Sequence, residues 1–440
     1  MKKKHRGVDK GSIAMILLSL VVLISGSLII HSLLEAGEQP LVSVEGGSIQ
    51  LFHWNESSAD QTGSAESGSV ITAEAAVTVQ PTASLEVINP EPNTAAQCDA
   101  VFSFAGTTAL ETSVRQSGYD KTSGTYDFSG VLQAVNRYMA GDLAWAQMEN
   151  LVIPGTQVSD TVAPDEISGM LASGGFNFVS FGFSKALDYG EEGIRSTQLS
   201  LEAAGIEHNG AYRNEDAADL AHRIMDIQGM KTALLQYTET LSSKGKKQAQ
   251  SLPYAVPLLS EAESEIRKVR ELGAQCVIVR VNWGTIGKTQ PTKTQRETAQ
   301  RLANAGADLI IGCGTRRVQD VEILNATDSS GKERRVICAY SLGTLIQAST
   351  KSGARESIIL RIHVHYDAEK GLSFSDISYV PTFVWHAKEN GKNLYIVIPS
   401  MDIPPEEMTN AQEKLMKQSA DRIAGILEDS PVILYSDVGD

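Results

Sequence analysis

From Ala100 to Pro399 the chain alternates short apolar runs with amphipathic stretches, which restricts it to an α/β architecture. The runs AVFSFAG, FNFVSFG, QCVIVRVNWG, DLIIGCG and RVICAYSLG read as strands, because they are short and rich in β-branched and aromatic residues. EEGIRSTQLSLEAAG, LLSEAESEIRKVRELG and TKTQRETAQRLANAG read as helices, and the last two stop at a Gly, which takes a left-handed backbone without steric cost. More β-structure follows in ESIILRIHVHYD, GLSFSDISYVPTFVW and NLYIVIP. The tail from Pro404 has prolines before an acidic turn and apolar residues at helical spacing, so it predicts a helix packed on the domain. No internal repeat is visible.

In open α/β sheets ligands bind beyond the carboxyl ends of the strands. The loops there carry Gly106-Thr107-Thr108, Glu149-Asn150, Ser184-Lys185, Asn282-Trp283-Gly284, Cys313-Gly314-Thr315-Arg316 and Gly343-Thr344. This set holds a single carboxylate, Glu149, and no histidine.

The N-terminus is different in kind. Residues 1–11 form a basic tail containing Lys2, Lys3, Lys4, Arg6 and Lys10, and residues 12–34 are an uncharged apolar run long enough to span hydrocarbon. With the positive charge on its N-terminal side, this run predicts a single transmembrane helix with a cytoplasmic tail and everything after Leu34 outside. A cleaved signal peptide is the alternative, and it also exports the rest of the chain. Residues 35–97, rich in Ser, Thr, Ala, Glu and Gly, read as a flexible extracellular spacer, with room for one short strand at SIQLFHW. Residues 98–400 form the α/β domain and 401–440 the C-terminal helix and tail.

A net charge of −15 repels phosphate backbones, so nucleic acid is excluded as a partner. The four cysteines, Cys98, Cys276, Cys313 and Cys338, are too few and scattered for a disulfide framework, and no C-x-x-C pair suggests zinc.

Several segments, in order, resemble the CapA-type capsule-biosynthesis proteins associated with poly-γ-glutamate. VSFGFSKALDYGEEG is similar to that family's strand, N-N-H-A-x-D-Y-G turn and helix. VRVNWG is similar to its strand ending H-W-G, QRETAQRLANAGADLIIGCGTRRVQ to its helix, A-G-A-D and G-H-H-P-H-V, and YSLGT to its Y-S-L-G-N. MENLVIPGT matches the N-L-E-x-P segment, with Gln147 at the asparagine and Glu149 at the glutamate. The resemblance covers about Ala100 to Pro399 and implies a layered α/β sandwich of calcineurin-like metallophosphoesterase type, with a role in capsule or poly-γ-glutamate biosynthesis or export.

The framework matches, but the family's metal-holding positions are occupied by other chemistry. Thr107 stands at the aspartate, Ser184 and Lys185 at the turn asparagine and histidine, Asn282 at the histidine before W-G, Cys313, Gly314 and Arg316 at the histidines of G-H-H-P-H, and Thr344 at the last asparagine. Divalent metals need imidazole and carboxylate ligands, and a guanidinium or ammonium at the same place repels a cation. The expectation is therefore no metal and no cofactor. Lys185 and Arg316 then either pair with Glu149 or Asp188 as a structural remnant, or form an anion site with Asn282, Thr107, Ser184 and Thr344 around it. On the second reading the partners are an anionic polymer or its precursor, together with other membrane components of a capsule assembly system. Two alternatives stand beside it: a metal-independent hydrolase or transferase with Glu149 as general acid or base and Lys185 with Arg316 as clamp, and a purely structural envelope protein.

Other motifs have simpler readings. NWGTIGKT has Asn282 where a phosphate loop needs its first glycine, so it reads as a surface loop. AYSLG approximates a nucleophile elbow, with Ser341, Asp367 and His386 in triad order, but Ala339 replaces its first glycine. His363 and His365 share one strand face without an identifiable third ligand, and read as exposed strand histidines. Asp188 reads as a stabilising charge at the start of a helix.

Overall fold

A computed structural model of the chain describes residues 41–45, 48–52, 86–87, 97–327, 331–389 and 391–436. They fall in two compact units, Met1–Thr78 and Val79–Asp440. In the first, Leu41–Glu45 and Ser48–Phe52 pair as an antiparallel hairpin, so the stretch expected to be spacer contains the strand anticipated at SIQLFHW and a partner for it. The apolar run 12–34 lies outside the described residues. Among the described residues no helix is long and apolar enough to cross a membrane.

The second unit is built on two sheets. One has seven strands in the order Val321–Thr327, Glu333–Ala339, Leu309–Cys313, Cys276–Asn282, Met230–Thr238, Ile224–Ile227 and Glu86–Val87, with the second to fifth mutually parallel. The other has nine, following the path Lys392–Pro399, Gly371–Glu389, Glu356–Asp367, Gln97–Thr108, Leu143–Met148, Phe178–Ser180 and Glu207–Asn209, of which the last four are parallel. Thr344–Ile346 and Ile433–Leu434 add to this sheet at its sides.

Helices cover both outer faces, giving a four-layer α/β sandwich. Ala262–Glu271 and Lys293–Ala305 pack on the seven-stranded sheet through Ile266, Val269, Ala299 and Leu302, while Glu166–Ser173 and Gly190–Ala203 pack on the nine-stranded one through Ile167, Leu171, Ile194 and Leu201. The boundaries follow local chemistry. The Lys293–Ala305 helix begins where the Thr292 hydroxyl accepts from Gln295 N and Gln295 reciprocates, and ends at Gly306 with φ of 124°. The Asn410–Ile426 helix packs on the domain: it buries Met416 and Ile423, Gln412 donates to His386 O at 2.7 Å, and Arg422 pairs with Glu356.

Between the sheets lies an apolar core to which Phe102, Phe104, Trp145, Cys276, Ile278, Leu309 and Ile311 contribute. Along strand 276–282, Cys276 and Ile278 enter this core, whereas Val277, Val279 and Val281 face the helices. That period of two carries Arg280 to the inside as well. Arg280 is fully buried, donating to Ala105 O at 2.5 Å and Trp145 O at 3.1 Å, with its guanidinium 5.8 Å from the Trp145 ring centre.

The reason one acceptor is free is a bulge. Phe104 pairs with Trp145 but Thr107 pairs with Gln147, so strand 97–108 carries one extra residue and Ala105–Gly106 leaves the ladder. Only glycine fits at position 106, since a Cβ there would stand 2.4 Å from Ser357 Oγ and 2.6 Å from Gly343 O. Burial lowers the Arg280 pKa to about 10, which keeps it cationic at neutral pH without a carboxylate partner.

The four cysteines are free and buried. Burial raises the Cys313 pKa from 9.0 to about 12 and pushes Cys276 and Cys338 well up.

Arg280→Met, which fills the volume but strands two carbonyls, should cost about 1–3 kcal/mol, and Arg280→Ala about 3–5 kcal/mol, in denaturant unfolding. An Arg280→Met variant as stable as the parent would show that the clamp contributes nothing. The thiols have folded pKa values above their unfolded ones, so above pH 9 the folded state holds the extra protons. The stability they contribute is complete below pH 9 and is lost as pH rises toward 12. Denaturation midpoints should therefore fall between pH 9 and 10, and less so in Cys313→Ala.

Candidate functional site

The carboxyl ends of the parallel strands of both sheets converge where the bulge, the loop after strand 309–313 and the segment after strand 143–148 meet. Glu149 is central and nearly buried, its side chain 12% exposed. Asn282 Nδ2 donates to Glu149 Oε1 at 3.0 Å, and Arg316 Nη2 to Glu149 Oε2 at 3.3 Å. Arg316 Nη1 also donates to Glu111 Oε1 at 3.0 Å, so the guanidinium bridges two carboxylates.

Backbone geometry aims that arginine. After Cys313 the chain turns through Gly314, φ 103°, and Arg316 itself takes φ 58°, a conformation that costs a non-glycine residue about 1–3 kcal/mol. The turn is held from within, since Thr315 Oγ1 bonds Arg317 O at 3.0 Å and the Ser341 hydroxyl at 2.9 Å. Strain is thus retained at the residue that makes the ion pairs.

Beneath this layer the polar floor is neutral. Thr107 and Thr344 face each other in register, Thr107 also pairs with Gln147, and all three are fully buried. Among the described residues, Thr107 Oγ1, Thr344 Oγ1 and Gln147 Oε1 have no hydrogen-bond partner. Cys313 is buried beside Val281 O, 3.4 Å away, and its raised pKa comes first from burial, opposed by the nearby Arg280 charge.

The structure therefore brings together Glu149, Asn282 and Arg316, and separately stacks Thr107 and Thr344. Ser184 and Lys185 occupy a turn of their own: Ser242 N donates to Ser184 O at 2.7 Å, and Ser242 Oγ donates to Asp188. Lys185 is exposed and, among the described residues, its ammonium has no hydrogen bond or ion pair, so of the two basic residues only Arg316 pairs with Glu149. Asp188 stands just before the helix it was expected to favour, without capping it. The Gly190–Ala203 helix starts after Tyr189 with no side-chain cap, because Asp188 is used by Ser242.

Sequence reading missed Glu111, Glu239 and Arg280. Glu239 Oε2 accepts from Gly284 N at 3.1 Å and its N–H donates to Asn282 O at 2.9 Å, which fixes the Asn282 loop. A charged residue in the middle of CVIVRVN was a usable signal for Arg280, whereas nothing local marks Glu111.

A dication does not fit this donor set. Glu149, the carboxylate that Asn282 contacts, is also bound by Arg316, Cys313 is held as the neutral thiol, and Arg280 places a second positive charge in the core nearby. Among the described residues no three His, Cys, Asp or Glu side chains are grouped to hold an ion. The nominated serine triad is not assembled either. Ser341 is buried against Thr315, Asp367 accepts from Gln97 at 2.8 Å, and His386 stacks on Tyr395 with ring centres 4.8 Å apart. His365 is bonded to Asp99 and to Ser375, and His363 lies 4.0 Å from Asp376.

A double-mutant cycle on Glu149→Gln and Arg316→Met should give a coupling of about 1–2 kcal/mol in unfolding free energy. Strictly additive effects would mean that the pair does not act as a unit.

The chain is 22% identical over 219 residues to the capsule biosynthesis protein CapA of Bacillus anthracis, covering 49% of this chain and 50% of that one. It is 24% identical over 189 residues to the PGA biosynthesis protein CapA of Bacillus subtilis, covering 43% and 47%. It thus spans about half the length of these curated relatives. Among solved structures, the NAD nucleotidase of Haemophilus influenzae aligns with a TM-score of 0.39 at 12% identity, over 78% of this chain and 65% of that one. A putative 5'-nucleotidase from Staphylococcus aureus aligns with 0.35 at 10% identity, over 73% and 58%. Residues 101–349 match the family described as bacterial capsule synthesis protein PGA_cap. With the family's strand, turn and loop segments found in order on one sandwich, the chain belongs to the PGA_cap family of bacterial capsule synthesis proteins.

Proposed function

We propose that this chain acts in capsule or poly-γ-glutamate biosynthesis or export as a membrane-anchored extracellular protein, on a metallophosphoesterase-type frame, and that it engages an anionic polymer or its precursor without metal-dependent catalysis. The observation that carries this reading is the bridging guanidinium. Arg316 spans Glu111 and Glu149 at the strand ends, so positive charge is supplied there by a side chain.

Exchange of partners makes that charge usable. The side chains of Arg316 and Glu111 are each 31% exposed, so an incoming carboxylate can replace Glu111 while the more buried Glu149 stays in place. Lys185, exposed and unpaired among the described residues, adds a mobile point charge for a ligand with several carboxylates. Asn282, Ser184, Thr107 and Thr344 supply neutral donors and acceptors. Glu149 is poorly placed as a general acid or base, because both its oxygens already accept hydrogen bonds.

The test uses the full chain in detergent. After exposure to manganese, iron and zinc and removal of excess, elemental mass spectrometry should find metal well below stoichiometry. A fluorescent γ-glutamate oligomer should bind, and Lys185→Ala/Arg316→Ala should weaken binding about tenfold, equal to about 1.4 kcal/mol. Stoichiometric metal, or binding indifferent to both substitutions, would sink the reading.

A further inference from the structure

A second cavity lies far from this site. It occupies about 930 Å³ where the two sheets part at the amino-terminal ends of the parallel strands, against Gln275, Asp308 and Arg335. Strand 276–282 separates it from Asn282 by about 20 Å at 3.3 Å per residue. Its apolar floor is the unfinished fringe of the intersheet core, formed by the partly buried Tyr366, Leu372, Phe374 and Ile377 of the long 356–367 and 371–389 hairpin.

The rim is basic. Six cationic side chains line the cleft against three acidic ones, although the whole chain carries −15. Two of the six, Arg270 and Arg334, are committed to Asp308. Of the others, Lys370 is 83% exposed with Asp367 at 3.8 Å, Arg267 is 56% exposed with Glu263 at 3.4 Å, and Arg335 and Lys332 are exposed at the start of strand 333–339, Lys332 with an interaction of its own. Arg335 has the same strand parity as Ile337, which belongs to the intersheet core, and so stands on the cleft side.

We infer that this cleft is a second anion-binding site, and that its occupant is an extended polycarboxylate segment. An apolar floor below a cationic rim suits a chain in which carboxylates alternate with methylene stretches: the methylenes cover Leu372 and Phe374 while the carboxylates reach Arg335 and Lys370. A bilayer surface suits it less, because the apolar residues are recessed between the sheets. The ligand class rests on the function proposed above, but the site shares no residue with the strand-end one.

The two can be separated in one experiment on the full chain in detergent, by lysine acetylation footprinting with and without a γ-glutamate oligomer. Lys370 and Lys332 should be protected by the oligomer, and the protection should disappear in Arg335→Glu and at high salt. The exposed double variant Arg335→Glu/Lys370→Glu should bind the labelled oligomer about tenfold more weakly, equal to about 1.4 kcal/mol, with an unchanged melting temperature. Protection of Lys185 without Lys370 would overturn the cleft and leave the strand-end reading intact. Protection of Lys370 without Lys185 would do the reverse. Protection of Lys370 by anionic vesicles but not by the oligomer would overturn the polymer assignment in favour of a membrane surface, and protection of neither lysine would overturn both.

Discussion

The buried contact of Arg280 with the carbonyls of Ala105 and Trp145 is the interaction on which the two-sheet arrangement turns. Sheets that pack by apolar side chains alone can slide over one another with little change in buried area. A planar cation reaching from one sheet to two fixed carbonyls of the other has one satisfactory position, and misplacing it leaves a charge and two acceptors unpaired in a medium that cannot solvate them. The bulge at Ala105–Gly106 and the arginine are therefore one device. The bulge frees the carbonyl and also turns Thr107 to pair with Gln147.

The strand ends inherit their geometry from that registration. Asn282 lies two residues beyond Arg280 on the same face, so locking Arg280 fixes where Asn282 meets Glu149. Arg316 completes the group from a left-handed backbone in a turn that Thr315 holds from within. The site holds its own cation between two carboxylates and has neutral oxygens on its floor.

Charge is unevenly distributed over the molecule. An acidic chain keeps a cluster of cations around the opening at the opposite ends of the strands, next to apolar residues that the core leaves half covered. Both regions join positive charge to exposed surface, at the two ends of one parallel sheet.

The element sequence was legible because it depends on local terms: β-branched runs, helical spacing, and Gly or Thr at the boundaries. Strand 356–367 and helix 293–305 fall where the residues alone put them. Strand 143–148, with its Trp and Gln, and strand 230–238, read less clearly because single residues inside them carry polar groups that only burial explains. The residues that gather at the strand ends were also visible one by one, since they follow recognisable strands. Pairing was not. Lys185 and Arg316 are equivalent as charges in a sequence, and only the packed turns decide that Arg316 reaches Glu149 while Lys185 stays in solvent. Glu111, 38 residues before Glu149, becomes its neighbour through Arg316 because the two loops are folded together. Periodicity determined which face each strand residue occupies; which faces meet, and so which charges are neutralised, was decided by tertiary packing, because Coulomb and hydrogen-bond energies depend on distances that no local pattern encodes.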